Sequence, residues 1–189
     1  MPFDVPQYAK DGADLRVRFL TEHEADIRRV AAVILDTVER GGKLLAFGNG
    51  GSAADAQHLA GEMVGRFKRE RKPLAAVALS TDTSVLTCIG NDFGYEEIFS
   101  RQVQALGRPG DVAWAISTSG HSPNVLRAID TAKSGGLFVV GLTGHDGGAM
   151  AEVCDLALVV PSDHTALIQE IHTTILHVVC ELIDEQFGA

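Results

Sequence analysis

Five short apolar runs, separated by stretches of helical periodicity, constrain the fold of this chain more than any other feature. The runs are KLLAF (43–47), LAAVAL (74–79), DVAWAI (111–116), LFVVGL (137–142) and LALVV (156–160). Continuous apolar runs of this length predict strands that are covered on both faces. Helical patterns lie between them, at about 52–67, 95–106 and 122–133. This alternation predicts right-handed βαβ units and an α/β fold with a doubly wound, five-stranded parallel sheet.

Helical segments at both ends complete a single predicted domain. Apolar residues recur at helical spacing from about Leu15 to Glu39, before two glycines, and again from about Thr165 to Phe187. The 189 residues contain no linker or low-complexity segment that would separate a second domain. We therefore expect one domain over 1–189, with an N-terminal helical segment (1–40) and a sheet core with the C-terminal helix (41–189).

Charge, hydropathy and cysteine usage exclude several classes of protein. The net charge of −9 disfavours a nucleic-acid partner. The N-terminus lacks the pattern of a signal peptide, and no apolar run approaches the roughly 18 residues of a membrane span. Cys88, Cys154 and Cys180 are isolated in sequence, which indicates buried thiols in a reducing compartment. These features predict a cytoplasmic protein with no membrane partner.

Two polar loops follow the first and third predicted strands. They are GNGGS (48–52) and STSGHSPN (117–124), and in the strand order 2-1-3-4-5 the two strands are neighbours where the order reverses. Ser122 followed by Pro123 predicts a helix start with a hydroxyl cap, and free N–H groups at a helix N-terminus attract an anion. Neither loop is a GxGxxG or GK[ST] motif, so no nucleotide cofactor is expected. A phosphate, held by hydroxyls and backbone, fits both loops.

Two pairs of polar side chains lie on predicted helices. His58 and Glu62 are four residues apart, so they share one helix face. Such a pair can move protons or bind a metal, and an ordinary surface pair is the alternative that the residues leave open. Gln169 and His177 lie in the apolar last helix, where a core histidine is the alternative.

Five motifs, in order along the chain, resemble those of the sugar isomerase (SIS) domain family, most closely its bacterial phosphoheptose isomerases. The motifs are GNGGSAADAQHLAGE, GNDFGYEEIFSRQVQALG, STSGHSPN, LTGHDGG and IQEIHTTILHVVC. They cover about residue 41 to the C-terminus, and the first forty residues match only loosely. The resemblance implies a flavodoxin-like strand order, a homotetramer and a sugar-phosphate substrate.

The resemblance also implies a reaction and the residues that serve it. Sedoheptulose 7-phosphate is converted through an enediol to D-glycero-D-manno-heptose 7-phosphate, the first step toward ADP-heptose and the lipopolysaccharide core. Catalysis is implied for Glu62 and His177, and binding of one zinc ion for His58, Glu62, Gln169 and His177. Contacts with the sugar phosphate are implied for Asn49, Gly50, Gly51, Ser52, Glu62, Asn91, Asp92, Ser117, Thr118, Ser119, Ser122 and Gln169.

The chemistry of these groups suits such a reaction. Glu62 can take the carbon-bound proton and His177 can serve the oxygens, while a cation can stabilise an enediolate. A metal-bound Glu62 would be a weaker base, so the metal either drives proton transfer or only orients the substrate. Some relatives carry an acidic residue where this chain has Ala166, and whether Asp163 or another residue replaces it stays open.

Two other functions and one geometric expectation complete the predictions. A branch of the family works as a non-catalytic adaptor that binds the replication initiator protein, and sugar-phosphate-sensing regulators carry an added DNA-binding module. Gln169 and His177 lie about 12 Å apart along their helix, and strand five lies about 14 Å from strand one. We therefore expect sites at subunit interfaces, with the last helix reaching His58 of a neighbouring subunit.

Overall fold

The computed structural model describes residues 2–187, so positions 1, 188 and 189 of the predicted domain lie outside it. Its five parallel strands have the order β2-β1-β3-β4-β5, which confirms the predicted fold class. The strands are β1 (Leu44–Gly48), β2 (Ala76–Ala78), β3 (Val112–Ser117), β4 (Phe138–Gly144) and β5 (Leu156–Val160). The α-helices are α1 (Val5–Glu22), α2 (Glu24–Glu39), α3 (Gly51–Val64), α4 (Thr83–Phe93), α5 (Ser100–Leu106), α6 (Pro123–Ser134), α7 (Gly148–Val153) and α8 (Thr165–Phe187), with a short 3₁₀ helix at Tyr95–Glu97.

Helices cover both faces of the sheet and create two apolar cores. Side chains alternate along each strand, so successive residues of β1 and β3 enter different cores. Trp114, fully buried, packs with α1, α2, α3 and α8 on one face. Phe47, also fully buried, packs with α4, α5, α6 and α7 on the other. The predicted catalytic residues, Glu62 and His177, lie on helices α3 and α8 of the first face.

Several elements differ from the sequence-based prediction. The N-terminal helix begins at Val5, where Asp4 caps it, and His23 interrupts it between α1 and α2. Strand β2 is not covered on both faces, because it is the edge strand and Val77 is 39% exposed. Helices α4 and α7 were not predicted. The Asp82 side chain accepts a hydrogen bond from Val85 N–H (2.9 Å) at the start of α4, an N-cap that the sequence carries.

Helix α8 folds back across its own sheet and packs against α2 and α3. By length and composition alone it could span a membrane, contrary to the expectation from the sequence, although half of that window is buried inside the fold. It also carries fully buried polar residues, His172 and Asp184, which have partners within this fold. These features are those of a core helix.

Candidate active site

The loop after β3, residues 117–122, brings three serine hydroxyls together; we call it the hydroxyl loop. Ser117 Oγ lies 2.9 Å from Ser122 Oγ and 3.4 Å from Ser119 Oγ. Gly120 has φ +66°, and a Cβ there would collide with the Gly147 carbonyl, so only glycine fits this turn. Ser122 precedes α6 but makes no capping hydrogen bond, so the predicted hydroxyl cap is wrong. The first N–H groups of α6 therefore keep the capacity to bind an anion.

The glycine loop after β1 is tied to the start of α6 by two side-chain amides. Asn49 Nδ2 donates to Asn124 Oδ1, and Asn124 Nδ2 donates to Asn49 Oδ1, both at 2.9 Å. The Tyr95 hydroxyl donates to Asn49 Oδ1 as well (3.1 Å). Gly50 precedes α3 as its N-cap residue, so α3 begins without a side-chain cap. Two uncapped helix N-termini thus meet at the edge where strand order reverses, which suits a phosphate.

Sequence reasoning assigned no role to Asn124 or Tyr95. Asn124 is buried and stands in the STSGHSPN motif, but its partner is 75 residues away, so only the fold reveals the pair. Asn49, a predicted substrate-binding residue, is therefore held in place before any substrate arrives.

Helices α3 and α8 lie side by side and run in the same direction. Gly51 packs against the Gln169 side chain, the Asp55 carboxylate accepts a hydrogen bond from the Thr173 hydroxyl (3.0 Å), and one turn further His58 meets His177. A Cβ on Gly51 would lie 2.6 Å from Gln169 Nε2, so glycine permits this close approach. The α3–α8 pair therefore connects the end of the site that suits a phosphate with the two histidines.

Three predicted residues come together within one chain; we call them the His–Glu group. His58 Nε2 lies 3.1 Å from Glu62 Oε1 and 3.4 Å from His177 Nε2. The expectation that the last helix reaches His58 of a neighbouring subunit differs from this contact within the chain, and sites at subunit interfaces stay a prediction. That expectation assumed that α8 stays beside β5, whereas α8 crosses the sheet face to lie against α3.

Gln169, the fourth predicted metal ligand, has its side chain beside Gly51, and its place in a metal site stays a prediction. It precedes His177 by eight residues, about 12 Å along the helix. Within residues 2–187, no three His, Cys, Asp or Glu side chains are arranged to hold a metal as they stand. The two distances within the His–Glu group are nevertheless close to the roughly 3.3 Å between donors in a tetrahedral zinc site. A metal site at these three side chains stays a prediction.

A cavity of about 360 Å³ opens between the starts of α3 and α8. Its lining residues are Gly51, Asp55, Ala166, Gln169, Glu170 and Thr173. Burial raises the pKa of Asp55, against the hydrogen bond from Thr173 and the nearby histidines. Asp163 is 99% exposed in its side chain and pairs with His145, so Asp55, and not Asp163, faces the space beside Ala166.

A larger groove, of about 810 Å³, lies between β2, α4 and α5, and none of its lining residues belongs to the predicted site. Asn91 and Asp92 lie near this region, exposed at the end of α4, where Asn91 Nδ2 donates to Asp92 Oδ1 (2.8 Å). Their contact with a sugar phosphate stays a prediction. Cys88 is also exposed here, so the expectation of three buried thiols is wrong for this residue.

The doubly wound sheet, the hydroxyl loop and the His–Glu group are those of a domain that binds and isomerises phosphorylated sugars. A family model described as SIS domain matches residues 7–144. A phosphoheptose isomerase of Solidesulfovibrio magneticus is 53% identical over 180 residues, covering 95% of this chain and 88% of that one. The chain belongs to the SIS domain family and, within it, to the phosphoheptose isomerases.

Solved structures agree with this assignment. The phosphoheptose isomerase of Neisseria gonorrhoeae is 44% identical with a TM-score of 0.91, covering 96% of this chain and 97% of that one. The enzyme of Francisella tularensis is 37% identical with a TM-score of 0.92, covering 96% of each chain. At this sequence identity over nearly the whole length, the similarity supports membership of the phosphoheptose isomerases as well as the shared fold.

Proposed function

We propose that this protein isomerises sedoheptulose 7-phosphate to D-glycero-D-manno-heptose 7-phosphate. The observation that carries the proposal is the His–Glu group, formed within a chain about half identical to phosphoheptose isomerases. Ketose–aldose isomerisation requires a base at carbon and a proton carrier at oxygen, and Glu62 and His177 supply these groups.

The substrate lies along the α3–α8 pair in this proposal. Its phosphate binds the hydroxyl loop and the N-termini of α3 and α6, where partial positive charge and N–H groups replace a Lys or Arg. The sugar hydroxyls face Gln169, Asp55 and Thr173. The reacting carbons reach the His–Glu group, seven residues beyond Gly51 on α3, which is about 11 Å along the axis. That span is comparable to an extended seven-carbon sugar.

Each end of this site has a defined task. Glu62 removes the proton from C1 of the ketose and returns it to C2 of the enediol. His177 moves the proton between the two oxygens. Asn49, fixed by Asn124, keeps the glycine loop in the position that receives the phosphate.

Zinc is the proposed cofactor, held by His58, Glu62 and His177. A bound divalent ion would polarise the substrate oxygens and stabilise negative charge on them. Gln169, the fourth residue implied as a ligand, has its side chain beside Gly51 and is proposed to contact the sugar as well. A homotetramer in the cytoplasm, and a place at the first step toward ADP-heptose and lipopolysaccharide, belong to the same proposal.

The non-catalytic adaptor is not favoured, because a protein that only binds a partner has no need of a complete His–Glu group. The decisive experiment is an assay of the purified protein on sedoheptulose 7-phosphate, before and after a chelator and after zinc is restored. We expect turnover, loss of turnover with the chelator, and recovery with zinc. No turnover in the zinc-loaded protein would refute the isomerase, whereas turnover that survives verified metal removal would refute only the role of zinc.

A further inference from the structure

The connection from α3 to β2, residues 65–75, lies along α8 beside the His–Glu group; we call it the 65–75 connection. The ring of Phe67 stacks on that of His177, with 5.7 Å between centroids and 25° between planes. His58 meets the same imidazole edge-on, at 4.9 Å and 78°. His177 is thus held by two rings, and only one of them belongs to the predicted site.

A buried ion pair anchors the 65–75 connection to α8. The Asp184 carboxylate accepts hydrogen bonds from Lys68 N–H (2.8 Å), Arg69 N–H (2.9 Å) and Arg71 Nε (2.7 Å). The Arg71 and Asp184 side chains are each 1% exposed. Asp184 follows His177 by seven residues, or two turns, so both lie on one side of α8.

The same guanidinium also binds the end of α3. Arg71 Nη2 donates to the Glu62 carbonyl (2.8 Å), and Arg71 Nη1 donates to the Met63 carbonyl (3.0 Å). One side chain therefore joins the helix turn that carries Glu62 to the helix that carries His177. A buried ion pair gains little stability over an apolar pair of similar volume, so stability alone explains this arrangement poorly.

Lys68 contacts both the Phe67 ring and helix α8 from the solvent side. Its Nζ lies 5.4 Å from the centroid of the Phe67 ring and pairs with Glu181, one turn after His177 on α8. Phe67 is therefore restrained by its own backbone neighbours and by the ammonium above it. Its ring in turn limits the rotation of His177.

We propose that Phe67, fixed by the Arg71–Asp184 pair, is a positioning residue that sets the orientation of the His177 imidazole for proton transfer. The inference rests on the proposed function of His177. Its physical basis is that small displacements of a catalytic group cost much of the rate, while substrate binding at the other end of the site stays unaffected.

The test compares Phe67→Leu, which removes the ring but keeps apolar bulk, with Phe67→Tyr, which keeps the ring. Phe187→Leu is the matched control, since Phe187 also lies under a lysine of the 65–75 connection, Lys72, but ten residues beyond His177. We expect Phe67→Leu to lower kcat by about 10- to 100-fold with KM and Tm unchanged. Phe67→Tyr and Phe187→Leu should keep native kcat.

Two further measurements separate positioning from general stability. The solvent deuterium isotope effect on kcat should rise in Phe67→Leu, because the proton transfer through His177 becomes slower. The ring-proton chemical shifts of His177, measured without substrate, should move in Phe67→Leu and not in Phe187→Leu. This readout applies whether or not the protein turns over sedoheptulose 7-phosphate.

A native kcat in Phe67→Leu would overturn the proposal. So would a loss of kcat that accompanies a lowered Tm and that Phe67→Tyr does not restore, because the role of Phe67 would then be structural. Unmoved His177 shifts in Phe67→Leu would refute the positioning itself. If the parent protein shows no isomerase activity, the proposed function fails on its own, and the chemical shifts still decide this inference.

Discussion

Glu62 is the residue on which the proposed chemistry depends most directly. Its carboxylate lies within hydrogen-bonding distance of His58 and is only partly exposed, so it can reach a substrate held along α3. We predict that Glu62→Gln lowers kcat by about 10²- to 10⁴-fold, since the amide keeps the shape and removes the base. Steady-state kinetics and a thermal melt check this. Glu185→Gln, an exposed change on α8, is the control, and a near-native kcat in Glu62→Gln would exclude Glu62 as the base.

The hydroxyl loop is predicted to bind the phosphate through individual hydrogen bonds. Thr118→Ala and Ser119→Ala should each raise KM roughly 10- to 100-fold, the equivalent of about 1.5–3 kcal/mol for a hydrogen bond to a charged group. Their kcat should change much less, because the reacting carbons lie at the other end of the site. Thr131→Ala, later on α6, serves as the control. Unchanged KM values in both loop variants would place the phosphate elsewhere.

Within the elements, α8 contains a buried histidine that the proposed reaction does not use. His172 Nε2 donates to the Thr143 carbonyl (3.0 Å), and within the described residues its buried Nδ1 has no partner. Burial lowers the pKa of His172 to about 4, against the hydrogen bond to Thr143. In the unfolded chain the same imidazole takes up a proton near pH 6.5. Stability is therefore lost as pH falls from about 6.5 toward 4.

We predict that the lowered pKa of His172 reduces the free energy of unfolding by about 2 kcal/mol when the pH falls from 7 to 5. Urea unfolding at these two pH values checks this. In His172→Gln, the drop in the free energy of unfolding from pH 7 to pH 5 should be smaller by about 2 kcal/mol than in the parent protein. This comparison holds whatever the stability of the variant at pH 7. Equal losses in both proteins would show that His172 is protonated, or exposed, in the folded state.

The elements show which parts of the structure sequence patterns can predict. The five strands are mostly apolar, so local pattern and length were sufficient to find them. The break at His23 has no glycine or proline to mark it, and helical periodicity continues across it. Helix α4 carries an apolar stripe, Val85, Leu86 and Ile89, which packs on the core although only Ile89 of the three is buried. This stripe and the cap at Asp82 were the signals that the sequence offered for α4.

At the scale of the whole molecule, the path of α8 was the feature that sequence could not provide. The positions of the hydroxyl loop and the glycine loop follow from strand order, which the resemblance to the SIS family implied. Which elements a terminal helix packs against depends instead on tertiary contacts that the local sequence pattern does not show. The buried side of α8, including Ile171 and Ile175, fits the sheet face beside α3. This packing places His177 against His58 without a second subunit.

This path of α8 determines how the proposed tetramer should behave when inactive subunits are mixed. Glu62→Gln and His177→Gln each lose one member of a group that forms within a single chain. In a mixed tetramer, every site then still lacks either Glu62 or His177. We predict that mixing restores no activity, even after subunit exchange is verified by co-purification of differently tagged chains. Recovery toward a quarter of native activity would show that a neighbouring subunit supplies one of the two residues, and that the contact between His58 and His177 within the chain is not the catalytic arrangement.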